Sequence, residues 1–186
     1  MSQNPSATST FNFKGSYGRD DNGVPITYLG LTANKSITLS ANNTTAHVAL
    51  FSVTGQVLVT SLWGVVTTAL GNNTAAYWRL NDQTAQSDIT LSTGTALTNA
   101  VSGAMIAKKG LAAAALTLLD ATQERVSEPT TLETSYFSPF VAIQKTGGVE
   151  TDIEFTYTTT DTPTSGAITF YVSYIPLTAG SRITAL

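Results

Sequence analysis

Apolar and polar residues alternate with a period of two along most of this chain, and no other feature limits its folding choices as much. In residues 149–160, Ile153, Phe155 and Tyr157 point to one side of an extended strand, while Asp152, Glu154, Thr156 and Thr158 point to the other. Ile37, Leu39 and Ala41 alternate with Ser36, Thr38 and Ser40 in the same way. In residues 47–53, Val48, Leu50 and Ser52 oppose Ala49, Phe51 and Val53. The strongest β segment is 56–70, where Val57, Val59, Val65, Val66, Thr67 and Thr68 are β-branched and suit an extended backbone. Gly64 inside it predicts a bulge or a place where another backbone comes close. Residues 75–80, with Tyr77 and Trp78 on opposite faces, predict a further strand, as do 86–92, 137–145 and 167–175. Pro176 ends the last of these, because proline has no N–H to give a ladder.

Turn-forming clusters separate the strands: Asn42-Asn43-Thr44, Gly71-Asn72-Asn73-Thr74, Gly147-Gly148 and the run 161–166. Two stretches admit two readings. Residues 95–105 fit a short helix or an irregular excursion. In 111–121, Leu111, Ala114, Ala115 and Leu118 would line a helix face, but Leu116, Leu118 and Asp120 also alternate, and the flanking strands favour a strand. About eight to ten strands at spacings of roughly 8–15 residues predict an all-β fold. The expectation is a single antiparallel β-sandwich or jelly-roll-like domain over residues 34–186, preceded by an extended N-terminal arm over residues 1–33.

The arm carries Phe11, Phe13, Tyr17 and Tyr28, more aromatics than a disordered tail would. It is read as a segment ordered against its own domain or a neighbouring subunit, the alternative being an ordinary frayed terminus before a first strand. Residues 177–186 are short and polar enough to be mobile or to touch a partner. The nominated contact residues are therefore Phe11, Phe13, Tyr17 and Tyr28 in the arm, with Arg182 and Ile183 in the tail.

Charge is scarce. Only 11% of the residues are charged, against about 25% in an average soluble protein. Small hydroxyl and amide groups cost little to desolvate, so such a surface suits assembly, although a neutral monomer would share the composition. Net charge is −3, and the nine basic residues are scattered, Lys108-Lys109 being the only adjacent pair. Phosphate binding needs clustered cations, so nucleic acid is not an expected partner. There is no cysteine, which excludes disulfides and thiolate metal sites. The first residues lack the basic and apolar regions of a signal peptide, and the longest apolar stretches, 62–66 and 110–119, are too short to span a bilayer. Synthesis in a cytoplasm and no membrane partner are expected.

Catalytic patterns are sparse. The single histidine, His47, sits in an apolar strand with no nucleophile or orienting group nearby in sequence. Asp20-Asp21-Asn22-Gly23 resembles part of a calcium loop, but the closing glutamate position holds Leu31 or Thr32. Glu150, Asp152 and Glu154 form a stripe that would bind a cation or, more simply, line the solvated side of an edge strand. Trp63, Trp78, Tyr77, Tyr136, Tyr171 and Tyr174 offer either a carbohydrate platform or core packing. No catalytic residue, metal or cofactor is expected, and the chain is not expected to be an enzyme.

The stretch Leu50-Phe51-Ser52-Val53-Thr54-Gly55-Gln56-Val57-Leu58-Val59-Thr60-Ser61-Leu62-Trp63-Gly64-Val65-Val66-Thr67-Thr68-Ala69-Leu70 is similar to a pattern in small virion proteins of tailed bacteriophages. Val172-Ser173-Tyr174-Ile175-Pro176-Leu177 resembles the ending of those domains. The resemblance covers roughly residues 45–92 and 166–177. It implies a capsid decoration (cement) protein on the virion exterior, binding neighbouring major capsid protein subunits as a homotrimer with reaching terminal arms. The other reading is a phage fibre or receptor-binding module that holds carbohydrate. The trimer expectation predicts a light-scattering mass of three 19.5 kDa chains, and dependence on the arm would show as dissociation when it is removed. A monomer at high concentration would remove the trimer from the reading.

Overall fold

A computed structural model describes residues 30–40, 44–71, 73–81, 89–108, 117–119, 139–144, 151–159 and 166–186. Among these the chain forms only strands: β1 (Leu31–Thr38), β2 (Thr45–Thr54), β3 (Gln56–Thr68), β4 (Asn73–Asn81), β5 (Ile89–Thr90), β6 (Met105–Ala107), β7 (Thr117–Leu119), β8 (Phe140–Ile143), β9 (Thr151–Thr159), β10 (Ala167–Pro176) and β11 (Arg182–Ala185). They make two antiparallel sheets packed as a β-sandwich. The first runs β1-β10-β3-β6-β7, with β8 pairing the opening residues of β3. The second runs β11-β2-β9-β4-β5.

The alternation reaches the structure as two faces. On β9, Ile153, Phe155 and Tyr157 enter the core; on β10, Ile168, Phe170 and Val172 do so from the opposite sheet. These two strands follow one another in the chain, and each lies inside its sheet between two long partners. The Phe155 and Phe170 rings meet across the sandwich at 4.7 Å, and Trp78 stands edge-on to Phe170 at 6.1 Å. Leu50, Phe51, Val57, Leu62 and Ile106, all fully buried, extend the core around them.

Most connections cross between the sheets rather than fold back as hairpins. β2 passes to β3 through Gly55 alone, at φ +67°, a left-handed conformation that disfavours any residue with a Cβ. Gly55 N–H donates to Gln144 Oε1 at 2.9 Å, and Gln56 N–H donates to Ser181 Oγ at 3.0 Å, so the corner is held from both sides.

Several sequence expectations shift. β1 begins at Leu31, opposite Tyr174, so the last three residues of the expected arm 1–33 belong to the sheet. Residues 1–29, with Phe11, Phe13, Tyr17 and Tyr28, lie outside the described residues. The stretch 95–105 is an irregular excursion rather than a helix: Thr95 bridges Ala76, turns follow, and β6 opens at Met105. Within 111–121 a strand is present at Thr117–Leu119, the remainder lying outside the described residues. Gly64 is neither a bulge nor a backbone approach. A Cβ there would meet the Phe170 ring at 2.8 Å and Ile168 Cγ2 at 3.0 Å, so its missing side chain makes room for the central aromatic.

The tail is part of the fold. β11 pairs with β2, and Leu186 N–H donates to the Leu50 carbonyl at 3.1 Å. Ile183 is a core residue, which leaves its side chain no surface to offer a partner, whereas Arg182 faces outward and exposed. Lys35 occupies an inward register position on the edge strand β1 and donates to the Leu186 carbonyl. An inward lysine on a long edge strand discourages pairing with another chain.

Because Gly64 faces core side chains rather than solvent, Gly64→Ala is expected to cost about 1–3 kcal/mol through overpacking. Gly71→Ala meets nothing within 4 Å and serves as the tolerated control. Urea denaturation of both variants checks this: equal midpoints would contradict the packing role assigned to Gly64.

Candidate functional site

The two outer surfaces of the sandwich differ in chemistry. On the second sheet, the outward positions of β9 hold Asp152, Glu154 and Thr156, flanked by His47 and Ser52 on β2 and by Tyr77, Arg79 and Asn81 on β4. The expected solvated edge stripe is corrected here. β9 is an interior strand, and Asp152 and Glu154 are only 2% and 4% exposed, with Arg79 and Asn81 beside them on β4. Glu154 Oε2 accepts from Arg79 Nε and Nη2, each at 2.7 Å, and Oε1 accepts from Asn81 Nδ2 at 2.6 Å. Both carboxylate oxygens are thus engaged within the protein. Glu150, the third member of the expected stripe, lies outside the described residues.

His47 is exposed on the part of β2 that runs past β11, with Nδ1 3.0 Å from Thr156 Oγ1. Thr45 and Thr158 continue the same cross-strand pairing, hydroxyl to hydroxyl at 2.8 Å. Imidazole, hydroxyl and carboxylate groups on this surface therefore pair across neighbouring strands.

The first sheet presents the contrast. Among the described residues, the outward register positions of β1, β3, β6, β8 and β10 carry no Asp, Glu, Lys or Arg. Thr32, Asn34 and Ser36 stand on β1, and Ser36 bonds Thr169 across to β10 at 2.8 Å. Trp63 on β3 and Tyr171 on β10 are directly opposed, their rings stacked at 4.2 Å and 16°. Two rows away, Val141, Leu58 and Ile175 form one continuous line across β8, β3 and β10. Val141 and Ile143 are 50% and 55% exposed, and Ile175 and Leu177 lie in the same exposed group. Among the described residues, two lysines beside this sheet are turned inward. Lys35 reaches the chain terminus. Lys108, which follows β6, is buried with its Nζ 5.5 Å from the Phe140 ring centre, and that desolvation lowers its pKa.

The aromatic candidates divide accordingly. Trp63 and Tyr171 are surface partners, and Tyr77 is half-buried on the second sheet's outer side. Trp78 and Tyr174 are core residues, and Tyr136 lies outside the described residues. The exposed aliphatic row did not stand out from the sequence. Its one signal was the unbroken apolar run of β8, Phe140-Val141-Ala142-Ile143, which implies apolar contact on both faces of a strand.

Compared with known proteins, the chain matches no family model, no curated protein and no solved structure.

The buried ion pair gives the second sheet a measurable dependence. Glu154→Ala takes from Arg79 its carboxylate and is expected to cost about 3–5 kcal/mol. Replacing Arg79 and Glu154 together with methionine is expected to recover most of that loss. Chemical denaturation checks it; a double variant no more stable than Glu154→Ala would contradict the pairing.

Proposed function

We propose that this chain is a virion structural protein, a capsid decoration protein that stabilises a phage head shell by binding neighbouring major capsid subunits. The observation that carries the reading is the uncharged outer face of the first sheet, with its row of exposed Val141, half-buried Leu58 and exposed Ile175. Docking such a face strips water from apolar atoms and neutral hydroxyls without stranding a charge. Each Å² of apolar surface covered is worth about 25 cal/mol. A shell offers many identical sites, and an oligomer engaging several of them multiplies a modest affinity through avidity. The trimer and the reaching arm belong to the same proposal and are supported by the resemblance of residues 50–70 and 172–177 to small phage virion proteins.

A specific observation favours a second reading. The Trp63–Tyr171 stack is an aromatic pair on the outer side of a sheet, flanked by hydroxyl and amide side chains, and such surfaces suit sugar rings. In that reading the chain is a fibre or receptor-binding module for carbohydrate.

The two readings separate in one experiment. Purified protein is mixed with shells of the phage that carries it and pelleted, alongside Val141→Lys and Ile143→Lys variants. Both substituted positions are exposed, so the fold tolerates them. The decoration reading expects saturable pelleting with the native chain and a loss of affinity of about tenfold or more with either lysine. Native protein that stays in the supernatant but binds host surface polysaccharide, with binding lost in Trp63→Ala, would overturn it in favour of the module.

A further inference from the structure

We propose that Tyr171, braced by Trp63, and Asn34 beside it form a binding site for an uncharged sugar chain whose pyranose rings carry equatorial substituents and so present flat C–H faces. This rests on the carbohydrate reading of the aromatic pair and adds which side of it is open, which side chain orients the sugar and what charge the sugar carries. It leaves the decoration reading intact, because the pair and the line Ile175–Leu58–Val141 occupy different rows of the same face and one molecule can use both.

The stack has one open side. Its rings lie 4.2 Å apart and within 16° of parallel, close to the roughly 4.8 Å between neighbouring strands. They therefore stack along the line that runs across the sheet, each covering one face of the other. The second face of Trp63 looks toward β6, where its register partner is Ala107, and that of Tyr171 looks toward β1, where its partner is Asn34. Ala107 is fully buried although it lies on the outer side of its strand, opposite to the core residue Ile106, so the pair is closed there. Asn34 is exposed and β1 is an edge strand, so solvent reaches the Tyr171 face from that side. A ring already braced by its neighbour has little rotamer freedom left to lose when a ligand arrives.

A sugar needs a flat apolar surface for its C–H face and a few groups that both donate and accept for its hydroxyls. Tyr171 supplies the first. Asn34 supplies the second, since an amide side chain offers N–H donors and a carbonyl acceptor to neighbouring hydroxyls. Thr32 and Ser173, register partners in the next row, add hydroxyls on one side; on the other, Ser36 and Thr169 bond each other. Among the described residues no outward position of this sheet carries a charge. An acidic sugar would give up hydration here without a cation to replace it, whereas a neutral one loses nothing by the exchange. The site therefore selects against carboxylated chains.

The test titrates the full-length chain by calorimetry with cellohexaose and chitohexaose, to about 10 mM. The cellouronate hexamer, the cellohexaose backbone with a carboxylate at each C6, is the acidic counterpart. Saturable binding of a neutral hexamer, and none of the cellouronate, is the expected result. Affinity should fall about tenfold in Tyr171→Leu, which keeps apolar bulk without a flat face, and in Asn34→Ala. Val141→Lys should bind sugar as the native chain does. Asn34 is exposed, so its variant folds, and urea midpoints check both. Failure of both neutral hexamers to bind, or preference for the cellouronate, would overturn the proposal. Binding that is lost in Trp63→Ala but unchanged in Tyr171→Leu and Asn34→Ala keeps the carbohydrate reading and removes this site. Shell pelleting without sugar binding likewise removes the site and keeps the decoration reading, while sugar binding without pelleting does the reverse.

Discussion

The contact between Phe155 and Phe170 ties the two halves of this molecule together. One ring comes from the interior strand of each sheet, and Trp78 closes the cluster from a neighbouring strand. Such aromatic pairs contribute about 0.5–1.5 kcal/mol each beyond the area they bury, and their position matters as much. β9 and β10 are consecutive, so this contact forms between strands close in the chain and then offers four edges to β1, β3, β2 and β4. Gly64 belongs to the same constraint. β3 can lie beside β10 only because nothing projects from Gly64 into the space of the Phe170 ring.

With the core shared between both sheets, the outer faces are free to differ, and they do. The second sheet spends its charge internally, in the Glu154–Arg79–Asn81 network. Among the described residues the first sheet keeps no charge on its outward positions and turns Lys35 and Lys108 away. A buried ion pair does little for net stability compared with apolar packing, but removing one partner strands the other's charge. The uncharged face has the opposite character. It is cheap to desolvate and retains exposed aliphatic side chains, which is why the proposed contact surface is assigned there.

Strand edges are handled in the same economical way. Among the described residues, β5, β7, β8 and β11 are four residues or fewer, leaving little backbone for another chain to pair with. β1 is the long edge strand, and it carries the inward lysine that reaches the chain terminus. Among the described residues the sheet edges therefore offer little free backbone to another chain.

The alternation of Ile153, Phe155 and Tyr157, the β-branched run of β3 and the turn clusters were enough to determine an all-β sandwich, because a period of two is a local property of the backbone. They also placed nearly every long strand. Strand order was not legible, because successive strands cross between sheets and the neighbours β1 and β10, or β2 and β9, are far apart in the chain. That order decided the rest. It put β9 inside a sheet, turning an apparent solvated stripe into a buried ion pair, and it drew the polar-looking tail into the core through Ile183. It also aligned Val141, Leu58 and Ile175, three unremarkable residues from distant segments, into one aliphatic row whose ends are exposed. Local chemistry says which side of a strand is apolar; only the tertiary pairing says whether the other side meets water, a neighbour or a partner.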